Sequence, residues 1–135
     1  MGVRKTILSG SSFEEAIGYA RAVVVDRDVF VSGTTGYDYS SMTISSDPAA
    51  QAEQCLQNIT AALDEAGARL SDVVRVHYYF VDRSDFDVCA PIFKRHFGTV
   101  KPAATMLVTG LFDPAMKLEI EVSARLPADT NRAEP

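Results

Sequence analysis

Only two segments of this chain carry an apolar stripe at helical spacing, and between them lies Val73 to Val81, a run that is β-branched and aromatic almost throughout. Ala52, Cys55, Leu56, Ile59, Ala62, Leu63 and Ala66 recur at three- and four-residue steps after Asp47-Pro48, an N-cap followed by proline at the first helical position, and Gly67 is the expected stop. A second helix opens at Ser84 or Asp85, turns Phe86, Cys89, Ala90, Phe93 and Phe97 to one side, and closes at Gly98, with Pro91 expected near its first turns. In the strand between them, alternation puts Val74, Val76, Tyr78 and Phe80 on one face and Arg75, His77 and Tyr79 on the other.

Further strands are expected at Arg4 to Leu8, at Tyr19 to Val25 with Val29 to Gly33 as a hairpin around Asp26-Arg27-Asp28, and at Thr105 to Leu111 with Leu118 to Arg125 as a second hairpin. Gly10-Ser11-Ser12 reads as a turn and Thr34 to Ser46 as a long polar loop. Two amphipathic helices cannot cover both faces of six strands. The predicted architecture is therefore α+β, a two-layer sandwich with both helices on one face of a six-stranded mixed sheet. The other face, partly apolar and carrying Arg75, His77 and Tyr79, predicts a homo-oligomer. A single domain over 1–127 with a loose polar tail over 128–135 is expected.

Charge narrows the function. Lysine and arginine total 13 against 18 aspartates and glutamates, a net of −5, with no tryptophan and no basic stripe. A nucleic-acid partner is not expected. No apolar run approaches the length that spans a bilayer, and the N-terminus lacks the apolar core of a signal peptide, so no membrane association is expected. Cys55 and Cys89 sit inside apolar helical patterns and read as small core residues in a reducing cytoplasm; with His77 and His96 unpaired in spacing, no metal site is predicted.

Five segments in order carry a family resemblance: Gly18 to Val23, Val29 to Gly33, Asn58-Ile59 with Glu65 to Ala68, Asp72 to Val76, and Leu118 to Val122. Together they resemble the Rid (reactive intermediate deaminase, YjgF) family, also called endoribonuclease L-PSP, over about Gly18 to Ala124. The resemblance implies a chorismate-mutase-like fold and a homotrimer with a small-molecule cleft at each subunit interface. It implies hydrolysis of reactive enamines and imines to 2-keto acids and ammonia, without metal or organic cofactor.

By the same resemblance Glu119 matches the catalytic glutamate, Tyr19 the pocket tyrosine, and Ser32-Gly33 the lining strand end. The motif arginine that clamps the substrate carboxylate does not match. Pro102-Ala103-Ala104-Thr105 places Ala104 there, Met106 stands where a cysteine is frequent, and Ala90 where an asparagine is frequent. A buried carboxylate without its bidentate partner is costly, so ordinary 2-imino-acid deamination should be weak or absent. Arg21, two residues from Tyr19, is the candidate replacement cation, and Thr105 offers a hydroxyl. The expected activity is a hydrolase of the imine-deaminase type on a small imine, enamine or amino-substituted metabolite. The alternatives are a non-catalytic metabolite- or partner-binding trimer and an endoribonuclease or translation inhibitor, the last opposed by the net charge.

Overall fold

Residues 3–128 are described here in a computed structural model of the chain. The elements in order are β1 (Arg4–Ile7), α1 (Ser12–Ile17), β2 (Ala22–Val25), β3 (Asp28–Thr34), β4 (Tyr37–Asp38), β5 (Thr43–Ile44), α2 (Pro48–Glu65), β6 (Val73–Phe80), α3 (Arg83–Phe97), β7 (Ala103–Val108) and β8 (Leu118–Arg125). Six strands form one mixed sheet in the order β1-β2-β3-β8-β6-β7, and β4 pairs with β5 in a separate short ribbon. Strict alternation along β8 sets the two faces: Leu118, Ile120, Val122 and Ala124 are buried, while Glu119, Glu121 and Ser123 point the other way. Helices α2 and α3 cover the first face. Cys55, Leu56, Ile59 and Leu63 of α2 are wholly buried there, and each large aliphatic contributes about 1.5–3 kcal/mol by leaving water.

The predicted α+β sandwich with two long helices on a six-stranded mixed sheet is what the chain forms. The predicted start of α2 holds as well: Asp47 caps it, its carboxylate accepting from the Ala50 N–H at 3.3 Å, with Pro48 next. The polar tail expected from 128 lies, beyond Ala128, outside the described residues.

Several local expectations change. β7 and β8 are not a hairpin. β8 inserts between β3 and β6, antiparallel to both, and β7 pairs parallel with β6 at the sheet's edge, the α3 crossover making that pairing possible. Strand β7 spans Ala103–Val108 rather than Thr105 to Leu111. A register shift between Val73 and Arg75 buries Val73 and Val76 and leaves Val74 exposed, so Val74 does not share a face with Val76, Tyr78 and Phe80.

Helix α3 begins one step earlier, capped by Asp82, and Pro91 falls in its middle. Pro91 faces solvent, where the carbonyl it leaves unpaired can be hydrated. The Ser-rich turn contains α1, with Ser11 as its N-cap and Gly18 closing it at φ 88°, a left-handed conformation that favours glycine. The long loop contains the β4–β5 ribbon.

Candidate functional site

Strand β3 carries an irregularity: Val31 pairs with Val122, but the next pairing is Thr34 with Ile120, so Ser32 and Gly33 bulge opposite Glu121. The bulge brings the Gly33 backbone against the Glu119 side chain. A Cβ on Gly33 would lie 1.9 Å from Glu119 Oε2, so only glycine admits the carboxylate in this position. Burial, reinforced by the neighbouring charge of Glu121, raises the Glu119 pKa above the ordinary carboxylate value; the Arg21 charge opposes the shift. A carboxyl so placed holds and releases a proton closer to neutrality than a surface glutamate does.

Glu119 faces a cavity of about 360 Å³. Phe13, Ile17, Tyr19, Tyr39, Phe112 and Met116 line it together with the bulge residues Ser32 and Gly33 and with Thr35. Phe13 and Phe112 meet edge to face, their centroids 6.4 Å apart at 90°. None of the described lining residues is a lysine or arginine.

Arg21 stands behind this wall, not on it. It is only 2% exposed and ion-paired with Glu14, itself 4% exposed, at 3.1 Å. Its Nε donates to Glu14 Oε2 at 3.1 Å, and its Nη1 to the Gly33 carbonyl at 2.7 Å and to Thr34 Oγ1 at 3.2 Å. Its Nη2 reaches Tyr19 Oη at 3.4 Å, and the guanidinium carbon lies 4.4 Å from the Tyr39 ring centroid and 5.6 Å from that of Tyr19. The charge is thus paired and its donors are committed. Arg21 organises the bulge and two aromatic walls, which is a positioning role rather than that of a free carboxylate clamp.

The remaining wall is held from α2. Gln51, fully buried, donates to the carbonyls of Ser45 and Ala115 at 2.7 and 3.0 Å and accepts from the Lys117 N–H at 3.0 Å. Cys55 Sγ donates to the Thr34 carbonyl at 3.0 Å, and Asn58 Nδ2 to the carbonyls of Thr35 and Tyr37 at 3.0 and 2.8 Å. These three residues, spaced at helical steps, fix both segments that flank the cavity. Burial pushes the Cys55 thiol well above its usual value and the Cys89 thiol to about 11, so both stay protonated, as small core residues should.

The structure therefore brings Tyr19, Ser32, Gly33 and Glu119 together and sets Arg21 behind them. Ala104, Thr105 and Met106 lie elsewhere, exposed on edge strand β7, with β6 between them and β8. Ala104 and Met106 pair with Val76 and Tyr78 and so share the helix side of the sheet; Thr105 pairs with His77. On the uncovered face Tyr79 donates to Glu121, and His77 Nδ1 lies 3.5 Å from the same carboxylate oxygen. That hydrogen bond, above all, pushes the Tyr79 pKa to about 12.

Sequence reasoning missed Phe13, Thr35, Tyr39, Phe112 and Met116 as cavity residues and Glu14 as the partner of Arg21. A signal existed for the two phenylalanines, large aromatics in segments otherwise composed of turn residues. Glu14 had none, because the left-handed turn at Gly18 breaks any regular spacing to Arg21.

Comparison with known proteins extends this picture. Among the described residues no group of histidine, cysteine and acidic side chains could hold a metal, and no helix is long and apolar enough to cross a membrane. The family model described as endoribonuclease L-PSP matches residues 10–126. The chain is 32% identical over 122 residues to the Homo sapiens protein named 2-iminobutanoate/2-iminopropanoate deaminase, covering 89% of each. Among solved structures it is similar to Rv2704 of Mycobacterium tuberculosis, a member of the YjgF/YER057c/UK114 family, with 39% identity and a TM-score of 0.83 over 92% of this chain and 100% of that one. It is also similar to the YjgF gene product of E. coli, with 27% identity and a TM-score of 0.78 over 90% and 98% of the two chains. With nearly its whole length matched in sequence and in chorismate-mutase-like fold, the chain belongs to the Rid/YjgF, or endoribonuclease L-PSP, family.

Proposed function

We propose that this chain is a cytoplasmic, cofactor-independent hydrolase of the imine-deaminase type, acting on a small imine or enamine that carries no α-carboxylate. The observation that carries the proposal is the position of Glu119: a carboxyl with a raised pKa, pressed against the Gly33 backbone, facing an apolar cavity whose wall holds no cation. Relatives named as imine deaminases support the reaction class. The committed donors of Arg21 and the lack of a lysine or arginine among the described lining residues argue against a carboxylate handle.

In this reading Glu119 takes a proton from water as the water oxygen bonds to the imine carbon, and the proton passes to nitrogen. The resulting carbinolamine passes its hydroxyl proton to Glu119, which delivers it to nitrogen as the C–N bond breaks, leaving a carbonyl compound and ammonia. A group with a pKa moved toward neutrality suits both halves of that transfer. The active unit is a homotrimer with clefts between subunits. Its support is the uncovered sheet face and bare edge, where Phe30, Val74, Leu107 and Val108 are half or more exposed. Ammonia release from simple alkyl and aryl imines, generated in place and followed continuously, tests the proposal. Glu119→Gln should abolish turnover while ligand binding persists; turnover unchanged in that variant overturns the assignment, and binding without turnover in the wild-type chain makes it a metabolite-binding protein.

A further inference from the structure

Resting on that reading of the cleft, we infer that the cavity at Glu119 selects a positively charged nitrogen, an iminium or substituted ammonium on an apolar body, and rejects carboxylates. Three observations converge. Phe13 and Phe112 stand perpendicular, 6.4 Å between centroids, forming a corner of aromatic surface in the cavity wall. Aromatic faces attract cations through the ring quadrupole, and boxes of such rings are a recurrent way to hold substituted ammonium groups. Glu119 supplies an anion in the same cavity, with a second carboxylate, Glu121, close enough to shift its titration.

The third observation is electrostatic. Among the described residues the cation whose charge reaches Glu119 is Arg21, and its donors are already taken by Glu14, the Gly33 carbonyl and Thr34, so an incoming anion finds no guanidinium N–H to bind. The Arg21 guanidinium lies 4.4 Å from the Tyr39 centroid and Phe13 also meets Tyr37 edge to face at 5.5 Å, which leaves Phe112, 81% exposed, as the ring most open to a ligand cation. The charge preference is thus the opposite of the one a carboxylate-binding cleft needs, and an iminium is also the more electrophilic form of an imine.

The test titrates the full chain, by calorimetry and NMR shifts, with three probes that share a phenyl ring: benzyltrimethylammonium, benzyl alcohol and benzoate. The cation should bind at least about tenfold more tightly than the alcohol, and benzoate should show no saturable binding. Glu119→Gln and Phe112→Leu should each weaken the cation by about threefold to tenfold. Phe112 is 81% exposed, so its variant keeps the fold even if the other does not. Equal binding of cation and alcohol, tighter binding of benzoate, or indifference of the cation to both substitutions overturns the inference. These probes contain no bond to hydrolyse. Cation binding without imine turnover would therefore defeat only the hydrolase reading, and imine turnover with a benzoate preference would defeat only the charge selectivity.

Discussion

On the helix-covered face of the sheet, Leu118, Ile120 and Val122 are buried in an apolar layer, whereas one residue along the same strand Glu119 and Glu121 place two carboxylates on the opposite face. The covered face is governed by packing: its residues lose water and gain close contact, and their identity matters mainly through shape. The uncovered face is governed by charge and partial burial. Glu121 there accepts from Tyr79, and Glu119 is held partly dry beside it with its proton affinity raised. Adjacent residues of one strand thus answer to different physics, and function collects where the packing rule is suspended. The Arg21–Glu14 pair sits at the boundary, two charged groups almost as enclosed as the core leucines.

That boundary is where the contrast breaks most violently. Arg21→Ala leaves the buried Glu14 carboxylate without its cation, held only by the Ser9 N–H and hydroxyl, and should cost up to about 3–5 kcal/mol in urea unfolding, with Glu14→Leu plus Arg21→Met restoring most of it. A single variant within about 0.5 kcal/mol of wild type would show that water or rearrangement rescues the carboxylate. Next, Leu63→Ala on the covered side should cost about 2–5 kcal/mol, since the residue is wholly buried. Phe30→Asp, on the uncovered side and 50% exposed, should instead act on assembly and lower the mass seen by light scattering. Equal stability losses with unchanged mass would erase the distinction between the faces.

Gly33→Ala sharpens the comparison within the cleft. The new Cβ displaces the flexible end of Glu119, so imine turnover should fall severely while stability drops by about 1 kcal/mol or less. Retained turnover would mean that the carboxylate works from another position. The smallest effect concerns pH. The folded pKa of Glu119 lies above its unfolded value, so the native state binds the extra proton and stability falls as pH rises between the two. Glu119→Gln should therefore raise the melting temperature slightly at neutral and alkaline pH. The gain should vanish as pH falls below the ordinary carboxylate value, where both states are protonated; a gain that persists in acid would point to packing instead.

Alternation, helical stripes and caps were legible in the residues because they are local: Asp47-Pro48 starts α2, and the period of two along Leu118–Arg125 separates the faces without reference to any other strand. The ordered motifs from Gly18 to Val122 were enough to identify the family and to single out Tyr19, Ser32, Gly33 and Glu119, which the fold does assemble at one cavity. What the chain order concealed was pairing across distance. Leu118–Arg125 follows Ala103–Val108 with a turn between, and locally that reads as a hairpin. Only the tertiary structure inserts β8 between β3 and β6, because the apolar face of β8 gains most burial in the sheet's centre. The role of Arg21 was decided the same way. In sequence Arg21 reads as an ion pair or as a replacement cation, without a named partner; the tertiary structure supplied the partner when α1 folded back to place Glu14 against it in a site closed to water, where a buried charge requires one.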